Sequence, residues 1–476
     1  MVRRTRRAAL LTLAMINVFI LAAGIAVVRM LPARLAALRV PVVAARQVSG
    51  PVAVLAAGTQ RGPRPTASGV HAALAAPLSA AALGPGVSAL VANPATGQVL
   101  LSERGGQLST PASTEKLVTS LAALAVLGAG ARFSTRVVDG ATPDRVILVG
   151  GGDPTLAVNA FPAGDYPRPA TLAALAAATA RTLTAQHRTS VSLGYDASLF
   201  TGPALAPGWP ESYVSTGNVT PIVSLEVDQG RLTRAGTPED SDDPYNLRPR
   251  ATDPAAMAAV SFAALLTADG IRVSGTPAAQ TATAHAPVLA SVSSPPLSAI
   301  VEQMLMESNN VIAENLARQV ALAAGRPASF SGAAAAVTAE LRRLGVSGGL
   351  SLVDGSGLSP RDAIAPATLV KAVELAMADP RSRALLAGLP VAGFSGTLHA
   401  GQSVFSGIGG AALGAVRAKT GNLDTVTALA GLVSDQSGTT LVFAFMADQV
   451  PTAAMLTEAA NAIDAAAAAL AGCGCR

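Results

Sequence analysis

Apolar runs of strand length, separated by turn residues, lie near both ends of the chain. Residues 87–92 and 98–101 flank a five-residue turn, and residues 424–433 and 439–446 flank a turn of polar residues and glycine. Short turns of this kind join antiparallel neighbours, so each pair of runs predicts a β-hairpin.

Between the hairpins, apolar residues recur at helical spacing. The helix after the first hairpin starts near Ser113 and continues through Leu127. Strands at both ends of a helical middle predict an α+β fold, in which an antiparallel sheet carries helices on its faces. Residues 133–290 contain short strand-like runs with many glycines and prolines, and we interpret them as an inserted, mainly β domain. The other predicted helices are 254–268, 297–307, 311–324, 333–344 and 452–471.

The first 30 residues have the pattern of a membrane segment. Arginines at positions 3, 4, 6 and 7 precede the uncharged residues 8–28, a length that spans roughly 30 Å as a helix. We expect an uncleaved N-terminal transmembrane helix with its N-terminus in the cytoplasm and the body of the protein outside; a cleaved signal peptide is the alternative.

The patterns divide the chain into four parts. We predict a cytoplasmic leader and membrane span (1–30), an extracytoplasmic linker (31–69), a catalytic domain (70–132 and 291–476) and the inserted domain (133–290).

The charge distribution excludes nucleic acid as a partner. The net charge is +5, but residues 1–100 carry ten arginines and no acidic residue, so the remaining 376 residues hold 24 basic and 29 acidic groups. A slightly acidic body does not match the basic surface of a nucleic-acid binder. The two cysteines, Cys473 and Cys475, lie in the last four residues, and no two of the four histidines have metal-ligand spacing. We therefore predict no metal and no cofactor; the sequence carries no signal for an oligomeric state.

Lysine is scarce in this chain, which has only Lys116, Lys371 and Lys419 among 34 basic residues. A buried ammonium can lose its proton and act as a base, whereas a guanidinium cannot. Lys116 lies three residues after Ser113, so the amine can reach the hydroxyl on one face of a helix. The pair has the composition of a serine nucleophile and its base. Taken alone, this spacing also fits an exposed helix pair.

Two further polar tripeptides lie where predicted helices or strands begin or end. The first is Ser308 to Asn310, at a predicted helix break, where Ser308 can relay a proton and the Asn310 amide can orient a substrate. The second is Lys419 to Gly421, where Lys419 and Thr420 can hold a carboxylate and the glycine can admit a substrate close to the backbone. Each tripeptide alone also fits an ordinary turn.

The order of the three motifs, Ser-x-x-Lys, Ser-x-Asn and Lys-Thr-Gly, resembles the motif set of serine β-lactamases and penicillin-binding proteins. Within that superfamily, residues 70–470 resemble the D-alanyl-D-alanine carboxypeptidase/endopeptidase family of class C low-molecular-mass penicillin-binding proteins. The long stretch of chain between the first two motifs matches the position of that family's inserted domain. Three further segments carry the resemblance: residues 150–156, 195–200 with 208–209 after them, and 354–358.

The resemblance implies a penicillin-binding/serine β-lactamase-like transpeptidase fold and an acyl-enzyme mechanism. Ser113 is then the nucleophile, Lys116 the general base, and Ser308 with Lys419 the path of the proton to the leaving amine. It further implies that the backbone N–H groups of Ser113 and Asn422 form the oxyanion hole. Thr420 and Gly421 would contribute to substrate binding, with Thr420 on the terminal carboxylate.

The implied partners are peptidoglycan stem peptides and β-lactams, outside the cytoplasmic membrane. Whether the protein trims D-Ala-D-Ala ends, cuts crosslinks as a D,D-endopeptidase, or does both depends on the cleft outside the motifs. A non-catalytic peptidoglycan-binding scaffold is one alternative. A serine β-lactamase is another, although no glutamate from Glu314 to Glu374 has the Glu-x-x-x-Asn setting of a class A deacylating base. Glu115, at i+2 from Ser113, is expected to be a solvated or capping carboxylate.

Overall fold

The computed structural model describes residues 64–160, 166–232, 248–346, 349–399 and 412–476. The predicted leader and membrane span, and most of the predicted linker, lie outside these residues. Within the described ranges, no helix combines the length and apolar character needed to cross a membrane.

The strands, in chain order, are β1 (Val87–Asn93), β2 (Gln98–Glu103), β3 (Ser134–Asp139), β4 (Arg145–Val149), β5 (Ser190–Asp196), β6 (Arg272–Ala279), β7 (Val288–Ser293), β8 (Leu350–Ser351), β9 (Ala363–Ile364), β10 (Val416–Leu423), β11 (Val426–Ser434) and β12 (Thr440–Ala447).

The helices are α1 (Ala67–Leu78), α2 (Lys116–Leu127), α3 (Leu172–Ala185), α4 (Ser212–Ser215), α5 (Pro254–Ala268), α6 (Leu297–Met306), α7 (Asn310–Ala323), α8 (Phe330–Arg343), α9 (Pro366–Ala378), α10 (Arg383–Ala387) and α11 (Leu456–Ala471).

The two predicted hairpins meet in one five-stranded sheet of order β10-β11-β12-β1-β2. All its strand pairs are antiparallel. The central strands β11 and β12 are apolar along almost their whole length because both faces of the sheet are covered. One face packs on α2 and α6 to α9, and the other on α1 and α11. This arrangement confirms the predicted antiparallel sheet with helices on its faces.

A second five-stranded sheet, of order β6-β5-β4-β3-β7, lies in the segment predicted as an insert, except that β7 ends at Ser293, beyond residue 290. It is mixed: β4, β5 and β6 run parallel, whereas β3 pairs antiparallel with β4 and β7. Helices α3 and α5 pack on it, with Leu175 and Phe262 in their shared core. The prediction of a mainly β insert is wrong, because parallel neighbours need crossover helices and the alanine-rich segments supply them.

A smaller apolar cluster joins residues 200–222 to the helices around the first sheet. Trp209 packs edge-on against Phe330 of α8, with ring centroids 5.3 Å apart. The buried Arg318 of α7 lies over the Phe330 ring and donates to the carbonyl oxygens of Thr201 and Pro203. Val311, in the first turn of α7, belongs to the same cluster, so part of the predicted insert lies beside one of the sequence motifs.

Candidate active site

Ser113 lies on a tight turn rather than on the α-helix that the sequence predicts. Residues Ala112–Glu115 form a 3₁₀ turn, and α2 begins only at Lys116. In a 3₁₀ turn, residues i and i+3 eclipse one another, so Lys116 Nζ still reaches Ser113 Oγ at 2.8 Å. Ala112 has a left-handed φ of 46°, and its carbonyl oxygen lies where a Cβ on Gly357 would be. The turn is therefore held by close backbone packing.

The Lys116 amine is surrounded by acceptors and sealed from solvent. It donates to Ser113 Oγ, to Asn310 Oδ1 at 2.7 Å and to the Ser356 carbonyl oxygen at 2.9 Å. Its side chain is fully buried. Burial lowers the pKa of Lys116 to about 8, and nearby buried carboxyl groups act in the opposite direction. The neutral amine, which can accept a proton, is thus accessible near neutral pH.

The second motif lies between α6 and α7. Ser308 adopts a left-handed φ of 57°, and its Oγ accepts a hydrogen bond from Lys419 Nζ at 2.8 Å. Asn309 caps α7 by accepting from the Ile312 N–H. The Asn310 amide is held at both ends by the protein, since Oδ1 accepts from Lys116 and Nδ2 donates to the Asn218 carbonyl oxygen at 2.9 Å. Its contacts orient the lysine directly, whereas the sequence assigned the amide to the substrate.

Lys419 is the second fully buried lysine of the site. Its Nζ donates to Ser308 Oγ and to the Thr420 carbonyl oxygen, both at 2.8 Å. Burial, and then the charge of Lys116, lower the pKa of Lys419 well below its usual value. The three motifs therefore form two pairs of a buried lysine and a serine, which lie close enough for the charge of Lys116 to act on Lys419.

The third motif lies on the edge strand β10. The Ala418 N–H donates to the Pro390 carbonyl oxygen, away from the neighbouring strand β11. Because main-chain groups alternate in direction along a strand, the N–H groups of Thr420 and Asn422 face the same outer edge. The Thr420 hydroxyl donates to Thr397 Oγ1 at 2.8 Å. The Asn422 N–H is thus directed as an oxyanion donor on this edge would be.

The structure gives Gly421 a different reason to be glycine. A Cβ at this position would lie 2.8 Å from the Pro111 carbonyl oxygen and 3.1 Å from the backbone nitrogens of Ser113 and Thr114. The missing side chain therefore lets β10 approach the nucleophile turn, whereas the sequence suggested that it admits the substrate.

The Glu115 carboxyl group is neither solvated nor capping, so that expectation is wrong. Its side chain is fully buried, and it makes no capping hydrogen bond to α2. Burial, followed by the charges of neighbouring acidic groups, raises the pKa of Glu115 well above its usual value. The i+2 position on the turn does not expose Glu115, because Gly357 in the loop after α8 packs against its Cβ.

Residues 354–358 carry part of the family resemblance, but the sequence predicted no role for them. In the structure Asp354 organises this loop by accepting from the Ser356, Gly357 and Ser359 N–H groups and from Trp209 Nε1. The loop in turn places the Ser356 carbonyl oxygen on Lys116. An aspartate followed by glycine and serine was the available signal, since that composition is typical of a side chain that binds its own backbone.

Comparisons with known proteins agree with this geometry. The chain is 37% identical to Carboxypeptidase DacB of Mycolicibacterium smegmatis over 421 residues, which cover 87% of this chain and 86% of the relative. It is 31% identical to the D-alanyl-D-alanine carboxypeptidase of Actinomadura sp. (strain R39), over 73% of this chain and 75% of that protein.

Penicillin binding protein 4 (dacB) from Haemophilus influenzae has a similar fold. Its crystal structure aligns with a TM-score of 0.64 at 22% identity, covering 80% of this chain and 93% of that chain. The same protein in complex with a β-lactam gives a TM-score of 0.60 at 23% identity, over 77% and 92% of the two chains. Residues 70–248 and 234–470 match the D-Ala-D-Ala carboxypeptidase 3 (S13) family. The chain belongs to that family.

Proposed function

We propose that this protein is a serine D-Ala-D-Ala carboxypeptidase that acts on peptidoglycan stem peptides through an acyl-enzyme. The observation that carries the proposal is the pairing of Lys116 with Ser113 and of Lys419 with Ser308, each at 2.8 Å. Family membership and the names of the relatives support the same reaction.

In the acylation step, Ser113 Oγ attacks the carbonyl carbon of the penultimate D-alanine. The hydroxyl proton moves to the neutral amine of Lys116, which is already within hydrogen-bond distance. Asn310 and the Ser356 carbonyl oxygen hold that amine in place through the transfer. The C–O bond forms while the peptide C–N bond breaks, so the peptide is transferred to Ser113 as an ester.

The developing oxyanion is stabilised by two main-chain donors, the N–H groups of Ser113 and Asn422. Each donor of this kind is typically worth about 10²–10³ in rate. The leaving D-alanine amine takes its proton from Ser308, and Lys419 replenishes that hydroxyl through their hydrogen bond. Water then hydrolyses the ester and returns the free serine.

The terminal carboxylate of the substrate is bound beside Thr420. Thr420 and Lys419 belong to strand β10, whose Gly421 lies against the nucleophile turn. An incoming carboxylate favours the ammonium form of Lys419, which burial disfavours in the empty site. Recognition of a free carboxylate is what separates a carboxypeptidase from an enzyme that cuts within a chain.

A fluorescent penicillin tests the proposal, since β-lactams acylate the same serine. We expect one covalent label per wild-type chain and none on Ser113→Ala. Ser79→Ala, whose hydroxyl only caps α1, is the matched control and should be labelled normally. Wild-type protein without any adduct would favour the non-catalytic scaffold, and rapid loss of the adduct would favour the β-lactamase alternative.

Product analysis on purified peptidoglycan separates the carboxypeptidase from the endopeptidase activity. We propose that the protein releases D-alanine from pentapeptides, with Thr420 and Lys419 binding the terminal carboxylate. Release of free D-alanine would support this assignment, and release of uncrosslinked peptides alone would assign the protein to the endopeptidases.

We also propose that the body of the protein lies outside the cytoplasm, anchored by residues 8–28, and that residues 133–290 form a domain of their own. The location follows from the substrate, and the anchor from the arginine leader. Fractionation of cells that express the full chain, compared with a variant lacking residues 1–30, tests the anchor. A soluble full chain would contradict it.

A further inference from the structure

Behind the base lies a group of buried carboxyl groups that the mechanism does not use. One oxygen from each of Glu115, Asp354 and Asp362 lies within 4.8 Å of one another. Glu314 of α7 reaches the same loop and accepts from the Gly355 N–H at 3.0 Å. All four side chains are at most 1% exposed. Four acids thus share two nearby cations, the Lys116 ammonium and the Arg318 guanidinium, so they cannot all be ionised.

The hydrogen bonds distinguish the members of this acidic group. Asp354 accepts from three backbone N–H groups and from Trp209, which is the setting of a carboxylate. Asp362 Oδ1 accepts from the Val353 N–H at 2.5 Å. By contrast, both oxygens of Glu115 and Oδ2 of Asp362 have no hydrogen-bond partner among the described residues.

Unpartnered carboxylate oxygens in a sealed site require a proton or a cation. The charged groups that face Glu115 are Asp354 and Asp362 from the loop, Glu314 from α7 and Lys116 from its own turn. Burial and the three acids raise the pKa of Glu115 well above its usual value. Burial, Asp354 and Glu314 raise the pKa of Asp362 to about 9. A divalent cation would bring two positive charges next to the Lys116 ammonium, whereas a proton brings one and leaves a neutral carboxylic acid.

We propose that one proton is held between Glu115 and Asp362, and that this makes Glu115 a positioning residue for the base Lys116. The inference rests on the proposed function. A negative charge on Glu115 would stabilise the ammonium form of its neighbour and keep the amine from accepting the Ser113 proton. With the proton in place, Asp354 is the carboxylate that balances Lys116, and the base is free to act.

Infrared difference spectroscopy tests the proton itself, without reference to activity. The C=O stretch of a protonated carboxylic acid should be present in the wild-type protein at neutral pH and lost in Glu115→Gln. The exposed Glu458→Gln is the control and should leave the band unchanged. A spectrum in which only carboxylate bands change in Glu115→Gln would overturn the proposal, as would one bound divalent metal ion per chain in the purified protein.

The pH profile of acylation by a fluorescent penicillin tests the effect on Lys116. Asn at position 362 keeps the acceptor for Val353 and offers Glu115 an N–H donor, so Asp362→Asn should ionise Glu115. We expect the rise of the acylation rate to move about one pH unit higher, which is roughly tenfold slower reaction on the acid side. The double variant Glu115→Gln/Asp362→Asn should return the rise to its wild-type position, which a merely structural role would not achieve.

The two measurements separate failure of this inference from failure of the proposed function. If wild-type protein forms no penicillin adduct, the function fails while the infrared band still reports the proton. If the adduct forms but Asp362→Asn leaves the pH profile in place, or the double variant does not restore it, the positioning role is wrong. If Glu115→Gln does not fold, loss of the same band in Asp362→Asn decides the question.

Discussion

Substitution of Gly421 by alanine should disturb the geometry of the catalytic residues in a protein that still folds. The added Cβ would lie 2.8 Å from the Pro111 carbonyl oxygen and 3.1 Å from the Ser113 and Thr114 nitrogens. These partners are backbone atoms, so no side chain can rotate away. Restoring an ordinary contact requires the nucleophile turn and β10 to move apart by about 0.5 Å, and overpacking of this kind costs about 1–3 kcal/mol of unfolding free energy.

The same displacement acts on catalysis, because it shifts Ser113 relative to the β10 edge. A misplacement of about 1 Å can cost roughly 10²-fold in rate, so we expect acylation to slow by about tenfold. The assay is stopped-flow acylation by a fluorescent penicillin, with urea unfolding on the same samples. Gly130→Ala is the control, since no atom lies within 4 Å of its Cβ. Acylation of Gly421→Ala at the rate of that control, in a folded protein, would refute the role of this contact.

Three further predictions follow from the same site. Lys116→Arg should slow acylation by at least about 10³-fold, because a guanidinium cannot accept the serine proton. The circular dichroism spectrum should be retained. A rate within tenfold of wild type would contradict the assignment of Lys116 as the base. Burial lowers the pKa of Lys116 to about 8, so the fraction of neutral Lys116 amine grows as pH increases. The acylation rate should therefore rise about tenfold per pH unit below pH 8 and level off above it. A flat pH profile would contradict this prediction. Trp209→Phe removes the 2.7 Å hydrogen bond to Asp354 and should lower the free energy of unfolding by about 2 kcal/mol. Urea unfolding is followed by circular dichroism rather than fluorescence, because Trp209 is the single tryptophan. A change below about 0.5 kcal/mol would show that the bond contributes little.

Local patterns predicted the helices well where their ends carry a clear signal. The helix at residues 254–268 is found with those bounds, with Asp253 as its cap and proline at its first position. Helix α3 was missed, although Thr171 caps it in the same way. The need for a helix there comes from the parallel pairing of β4 with β5, which the residues around 172–185 do not themselves reveal.

The Ser113 turn shows a correct pairing reached through the wrong local geometry. The spacing to Lys116 predicted that the hydroxyl and the amine meet, and they do. The backbone between them is a 3₁₀ turn, however, held by the close approach of Gly357 and Gly421 to the turn. Those contacts come from distant segments, which no window around the motif contains.

The sequence by itself determined the order of the three motifs, the scarcity of lysine and the apolar runs of the antiparallel sheet. Those features are local, so they can be read from neighbouring residues. Only the tertiary structure decided that Lys116 and Lys419 are sealed from water and that Glu115 lies in a buried acidic group. Burial and the pKa of a side chain depend on every segment packed around it, and those segments come from parts of the chain about 200 to 300 residues apart.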